Sequence, residues 1–153
     1  MRKLLPIAAA AIAALTLTSL SPASAYHHAK PKTLVLTTNT VGGKFPGKDL
    51  ALGDDIILTE DAYRDGKKVG TSDIQCTIVR VDAATHAFAS QCANTTVLPE
   101  GQIMTQGYVT SAQEENGFKQ AITGGTGAYA RAHGELTVDD RGDGPATLTF
   151  DLR

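Results

Sequence analysis

Few side chains in this sequence have both the type and the placement to do chemistry. Glu60 stands in a β-rich run, Asp55 to Tyr63, and shares its parity with Ile56 and Leu58. If that face lines an interior, the carboxyl loses water, its pKa rises, and it can give or take a proton near neutral pH. At a rim or in a hydrogen-bonded corner it would do neither. His133 is the second candidate, since an imidazole can act as a base or a proton relay. Leu136 and Val138 have the opposite parity, which turns His133 toward solvent or a neighbouring subunit. The third is Gly124-Gly125-Thr126-Gly127, which could cradle a phosphate or simply turn the chain. A phosphate loop needs a lysine after its last glycine and a helix behind it. Here Gly127 runs into Ala128 and Tyr129, and no βαβ unit surrounds it. The glycines therefore read as a tight turn between strands, where they accept positive φ.

Cys76 and Cys92 are the two cysteines. Ile74 to Val81 and His86 to Asn94 read as consecutive strands, with Asp82 to Thr85 turning between them. Folding that hairpin about Ala84 sets Cys76 opposite Cys92, close enough for a disulfide. Two free buried thiols are the alternative. A metal site lacks the usual cysteine spacing and nearby histidines, so no metal and no cofactor are expected. His27 and His28 lie in a polar arm, where they could hold an ion loosely or sit exposed.

The elements that must carry these residues are short and β-rich. Thr33–Thr40, Asp55–Tyr63, Val69–Val81, His86–Val97, Gln102–Ser111, Phe118–Thr123, Ala130–Asp139 and Ala146–Leu152 read as strands. Val41 to Leu52 reads as a glycine- and proline-rich loop. Arg64 to Lys67, Gln113 to Asn116 and Gly142 to Gly144 read as turns, and Asp54 beside Gly53 reads as a structural turn residue. No stretch holds a helical period. The pattern predicts an all-β sandwich or barrel; a single eight-stranded antiparallel barrel of calycin-like build suits the length and removes exposed edges.

Arg2 and Lys3, the apolar run to Leu20 and the Ala23-x-Ala25 site predict a signal peptide over 1–25. A flexible arm would follow over 26–32, then the barrel domain over 33–153. The expected location is extracellular, with cleavage after Ala25 and no membrane anchor. The chain carries a formal charge of −2 with no basic cluster, so nucleic acid is excluded as a partner. With no tryptophan and 5% aromatic residues, it also lacks a stacking platform for bases or sugars. Asn94-Thr95-Thr96 fits a glycosylation sequon that is expected to go unused.

Ala121-Ile-Thr-Gly-Gly-Thr-Gly-Ala-Tyr129, followed by Gly134, resembles the turn and strand of the allene oxide cyclase and dirigent superfamily. Gly53-Asp54, Val69-Gly70 with Cys76, and Gly101-Gln-Ile103 with Gln106-Gly107 are similar to that family's other motifs, in the same order. The resemblance covers about Thr33 to Leu152. It implies an eight-stranded barrel with an apolar lumen, and a trimer such as plant members form. Allene oxide cyclases work mainly by confining an unstable fatty-acid epoxide. The position of their first-strand glutamate falls on Thr37, an asparagine two residues on matches Asn39, and a second asparagine is replaced by Glu60. The pocket aromatic is absent, with Val109 in place and Tyr108 one residue off. Dirigent proteins carry an arginine where Ala132-His133-Gly134 has His133.

The expected function is a secreted barrel that binds a hydrophobic small molecule, with Ile56, Leu58, Cys76 and Ile78 lining the lumen. It would steer that molecule's cyclisation or coupling, with Glu60, His133 and Asn39 as the candidate catalytic groups. Two alternatives stay open: a true isomerase or cyclase acting on an unstable lipid- or polyketide-like precursor, and a structural protein with a packed lumen.

Overall fold

Alternation of apolar and polar residues decides the architecture. A computed structural model describes residues 32–47, 49–114, 117–140 and 144–153. The expected signal peptide, the arm up to residue 31, residues 115–116 and most of the turn at Gly142 lie outside these residues. Eight strands follow in order: β1 (Lys32–Lys44), β2 (Asp55–Arg64), β3 (Lys67–Val81), β4 (Phe88–Leu98), β5 (Gly101–Thr110), β6 (Phe118–Gly125), β7 (Gly134–Asp139) and β8 (Ala146–Leu152). Each pairs antiparallel with the next, and β1 closes the barrel on β8. Closure leaves no edge strand among the described residues. No helix of the described residues is long and apolar enough to cross a membrane.

Two strand boundaries depart from the sequence reading by four residues, and the others fall within two. β1 does not stop at Thr40 but continues to Lys44 through a bulge between Thr40 and Gly42. Gly43, which read as loop punctuation, instead allows close strand approach. A Cβ on Gly43 would sit 2.5 Å from the Ile57 carbonyl oxygen. β7 begins at Gly134, not Ala130. Gly127, at φ +59°, starts a single 3-10 turn through Tyr129, held by Tyr129 N–H donating to Thr126 O at 3.0 Å. That turn packs on the β4–β5 hairpin so closely that a Cβ on Gly127 would collide with the Glu100 carbonyl oxygen. It carries Tyr129 inward, where the ring is buried in the barrel's floor.

The inward faces divide the barrel into two halves. At the floor end, Leu34, Leu36, Leu98, Ile103, Ile122, Leu136, Leu148 and Phe150 pack into one cluster with Tyr129. At the other end only Cys76, Cys92 and Val109 form a buried apolar group, with Ile56, Ile74 and Phe118 against them. Between the two lies a belt of buried polar side chains that includes Thr38, Glu60, Ser72, Asn94, Thr96, Thr105 and Gln120. Ser72 Oγ donates to Asn94 Oδ1 at 3.1 Å, and Thr105 Oγ1 donates to Gln120 Oε1 at 2.5 Å. The sparser upper half leaves space.

Cys76 and Cys92 are directly paired residues of β3 and β4 and form a disulfide, their Cα atoms 4.0 Å apart. The bridge closes a loop of sequence separation 16, which stabilises the fold by about 3 kcal/mol in the chain-entropy model. Replacing both cysteines by serine is expected to lower the melting temperature by roughly 10 °C. Calorimetry of the two proteins checks this, and equal transitions would remove the bridge from the stability account.

Candidate functional site

The upper half encloses a cavity of about 600 Å³. Its walls come from alternate residues of the strands: Ile56 and Leu58 on β2, Ile74 and Cys76 on β3, Cys92 and Asn94 on β4, Val109 on β5, Phe118 and Gln120 on β6. Phe45, Pro46 and Leu50 from the β1–β2 connection form part of its rim. That connection is tied to the barrel at its far end. Gly53 N–H donates to Ile78 O at 2.9 Å, Ile78 N–H donates to Asp54 O at 2.8 Å, and the Asp54 carboxylate accepts from Ala51 N–H at 2.8 Å.

Glu60 marks the cavity's floor. The inward residues before it on β2, Ile56 and Leu58, line the cavity, whereas Ala62 after it belongs to the packed cluster. Glu60 is 5% exposed. Its Oε1 accepts a long hydrogen bond from Thr40 Oγ1 at 3.5 Å, and its Oε2 is buried with no partner. Burial raises its pKa above the usual glutamate range. The Thr38 and Thr40 hydroxyls beside it favour the charged form, while Asp140 and Asp73 oppose it. A carboxyl so placed can hold a proton at a pH where a solvated one has lost it, and deliver it to a bound molecule.

Two further acids face the same space. Glu114 lies on the one-turn helix Ser111–Glu114 after β5, and Asp140 follows the end of β7; both line the cavity. Partial enclosure at the mouth, then the charge of Asp140, raises the Glu114 pKa. Asn94 and Gln120 each give their amide oxygen to a hydroxyl of the belt, so each is held in a fixed orientation at the cavity wall.

Of the sequence-derived candidates, Glu60, Ile56, Leu58 and Cys76 meet at this cavity. Ile78 is buried on the same inward face but lies outside the lining. Asn39 and His133 do not reach it. On β1 the inward residues are Leu34, Leu36 and Thr38, so Thr37 and Asn39 point outward and are exposed. The two positions that resemble the family's first-strand polar pair thus fall on the outer parity. His133 sits in the turn before β7, exposed, its Nδ1 3.2 Å from Arg131 O and its own carbonyl accepting from Arg153 N–H. That turn is at the floor end, opposite the cavity mouth. Asn94, read only as a sequon, is buried; its parity with Cys92 was the available signal. Glu114 and Asp140 follow strand ends, where no periodicity marks them.

The Gly124–Gly127 segment closes the floor and takes no part in the cavity. Val109 lines the wall and Tyr108 points outward. The cavity's aromatic faces come from Phe45, Phe88 and Phe118.

A comparison with curated protein sequences finds no match. Among solved structures, the chain is similar to a pyocyanin demethylase at 27% identity, with a TM-score of 0.70 over 80% of this chain and 100% of that one. It shares its fold with an exo-specific intermolecular Diels-Alderase, at 13% identity and TM-score 0.63 over 81% of this chain and 98% of the other. It shares it also with a nonspecific heme-binding cyclase that catalyses a cycloaddition in neoabyssomicin biosynthesis, at 15% identity and TM-score 0.58 over 81% of this chain and 68% of that one. Residues 33–145 match the model of the allene oxide cyclase barrel-like domain. With its closed eight-stranded barrel and half-empty apolar lumen, the chain belongs to the allene oxide cyclase barrel-like domain family.

Proposed function

We propose that the barrel admits an apolar small molecule to its open half and that Glu60 acts on it as a general acid or base. One observation carries this reading: a carboxyl that is 5% exposed forms the floor of a cavity of about 600 Å³ whose walls are otherwise mostly apolar. That volume lies within the usual range for small-molecule sites. The walls would hold the molecule in one conformation, and the carboxyl would move the proton its rearrangement requires. The likeness to pyocyanin demethylase supports a reacting ligand of this kind. A solidly packed lumen, the structural alternative, fits poorly with a cavity of this size. We also propose that the protein works outside the cell after loss of residues 1–25, a setting that suits the Cys76–Cys92 bridge.

Uptake of a neutral fluorescent probe, N-phenylnaphthylamine, tests the reading. Its emission is expected to rise and saturate at one probe per barrel. Leu58→Trp, which places an indole in the cavity, is expected to abolish uptake while the far-ultraviolet circular dichroism stays unchanged. Undiminished uptake in that variant would place the probe elsewhere and overturn the assignment of the lumen.

A further inference from the structure

The charged side chains among the described lining residues are of one sign. Glu60 lies at the floor, Glu114 and Asp140 lie at the mouth, and no lysine, arginine or histidine is among the described lining residues. Asp140 acts on both glutamates, pushing each toward its protonated form. A group of acids is by itself no more than a negative surface. A second observation gives it direction. Glu60 Oε2 is buried and without a partner, on a side chain that lines the cavity. A buried carboxylate oxygen in that state is destabilising until a donor or a positive charge meets it.

What could meet it is constrained by the surroundings. Among the described residues no three carboxylate, imidazole or thiolate groups are close enough to hold a metal ion, so the acids surround a volume and not a point. The volume is walled by Ile56, Leu58, Phe88 and Phe118. Aromatic faces attract delocalised cations as well as apolar rings. An anionic ligand such as a fatty-acid carboxylate would meet Glu60 at the floor and, among the described lining residues, no cation.

We propose that the occupant is a lipophilic organic cation, a protonated or N-alkylated heteroaromatic ring system. Its rings lie against the apolar wall and its positive charge faces Glu60. This rests on the reading of the cavity as a small-molecule site, and it sets the charge that the molecule carries.

Three probes of one ring shape test it: N-methylacridinium (cation), acridine (neutral) and acridine carboxylate (anion). They are titrated by fluorescence against the folded, disulfide-bonded protein at mildly alkaline pH, where acridine is uncharged. The cation is expected to bind about tenfold more tightly than acridine, with the anion weakest. Glu60→Gln should bring the cation's affinity down to the level of acridine measured in the same variant. Asp140→Asn should reduce the cation's advantage in part, which keeps the test available if Glu60→Gln fails to fold. Acridine or its carboxylate binding best, or a cation advantage that survives Glu60→Gln, would overturn the proposal. If none of the three binds while N-phenylnaphthylamine is still taken up, the cation preference is wrong and the open-lumen reading stands. If that neutral probe is refused as well, the open-lumen reading itself fails.

Discussion

Glu60→Gln is expected to raise the melting temperature at neutral pH and to lower conversion of the bound substrate by about 10²–10⁴-fold. The two effects share one cause. Glu60 is buried beside a cavity, its Oε2 has no partner, and its pKa is raised by that burial. The sign follows from proton linkage. Above the ordinary glutamate value of 4.5, the unfolded chain has released this proton while the folded protein still holds it. The folded state then binds more protons, so stability falls as pH rises through that interval. The loss is complete once pH exceeds the folded-state pKa. Glutamine never ionises and escapes it. The gain from the substitution should therefore be absent below the ordinary glutamate value and grow as pH rises above it. Glu114 titrates in the same direction, but it is present in both proteins and cancels in the difference. Melting curves from acid to neutral pH check this. Parallel profiles for the two proteins would show that Glu60 is not held in an apolar setting. Conversion is measured on the compound released from the barrel when the protein is denatured. A fully active Glu60→Gln would remove the carboxyl from the mechanism.

Phe150→Ala is expected to destabilise the fold by about 3–5 kcal/mol, a large share of a domain's total. Phe150 is 0% exposed. It stands directly across from Leu34 of β1 on one side and Leu136 of β7 on the other, at the strand that closes the barrel. Truncation leaves a void that neighbours pinned by a closed hydrogen-bond ladder cannot collapse into. Ile56→Ala provides the contrast. Ile56 faces the cavity, so the void it leaves joins space that is already present. Its loss should be about 1 kcal/mol and should show mainly in probe affinity. Urea denaturation of both variants checks the comparison. Equal losses would mean that the upper half is packed as tightly as the lower, which would contradict an open lumen.

The amino-acid sequence by itself determined the strand count, the antiparallel barrel and the disulfide. All three rest on short-range order: period-two alternation, turn residues between runs, and a hairpin symmetric about Ala84 that pairs Cys76 with Cys92. The parity of Glu60 with Ile56 and Leu58 likewise placed its carboxyl inward, and the motifs from Gly53 to Gly134 pointed to the family. Tertiary structure alone decided the rest. That the barrel is solid at one end and hollow at the other depends on how Phe150, Tyr129 and the leucines fill space together, a sum over eight strands that no single strand displays. Tyr129 plugs the floor because a 3-10 turn swings it inward, where the sequence showed only a glycine turn between strands. Asn39 and His133 lost their place for a related reason. Motif matching fixes order along the chain but not which side of the sheet a residue faces, and a shift of one residue reverses the side. Glu114 and Asp140 are 26 residues apart by their numbering, and only closure of the barrel brings both to the mouth above Glu60.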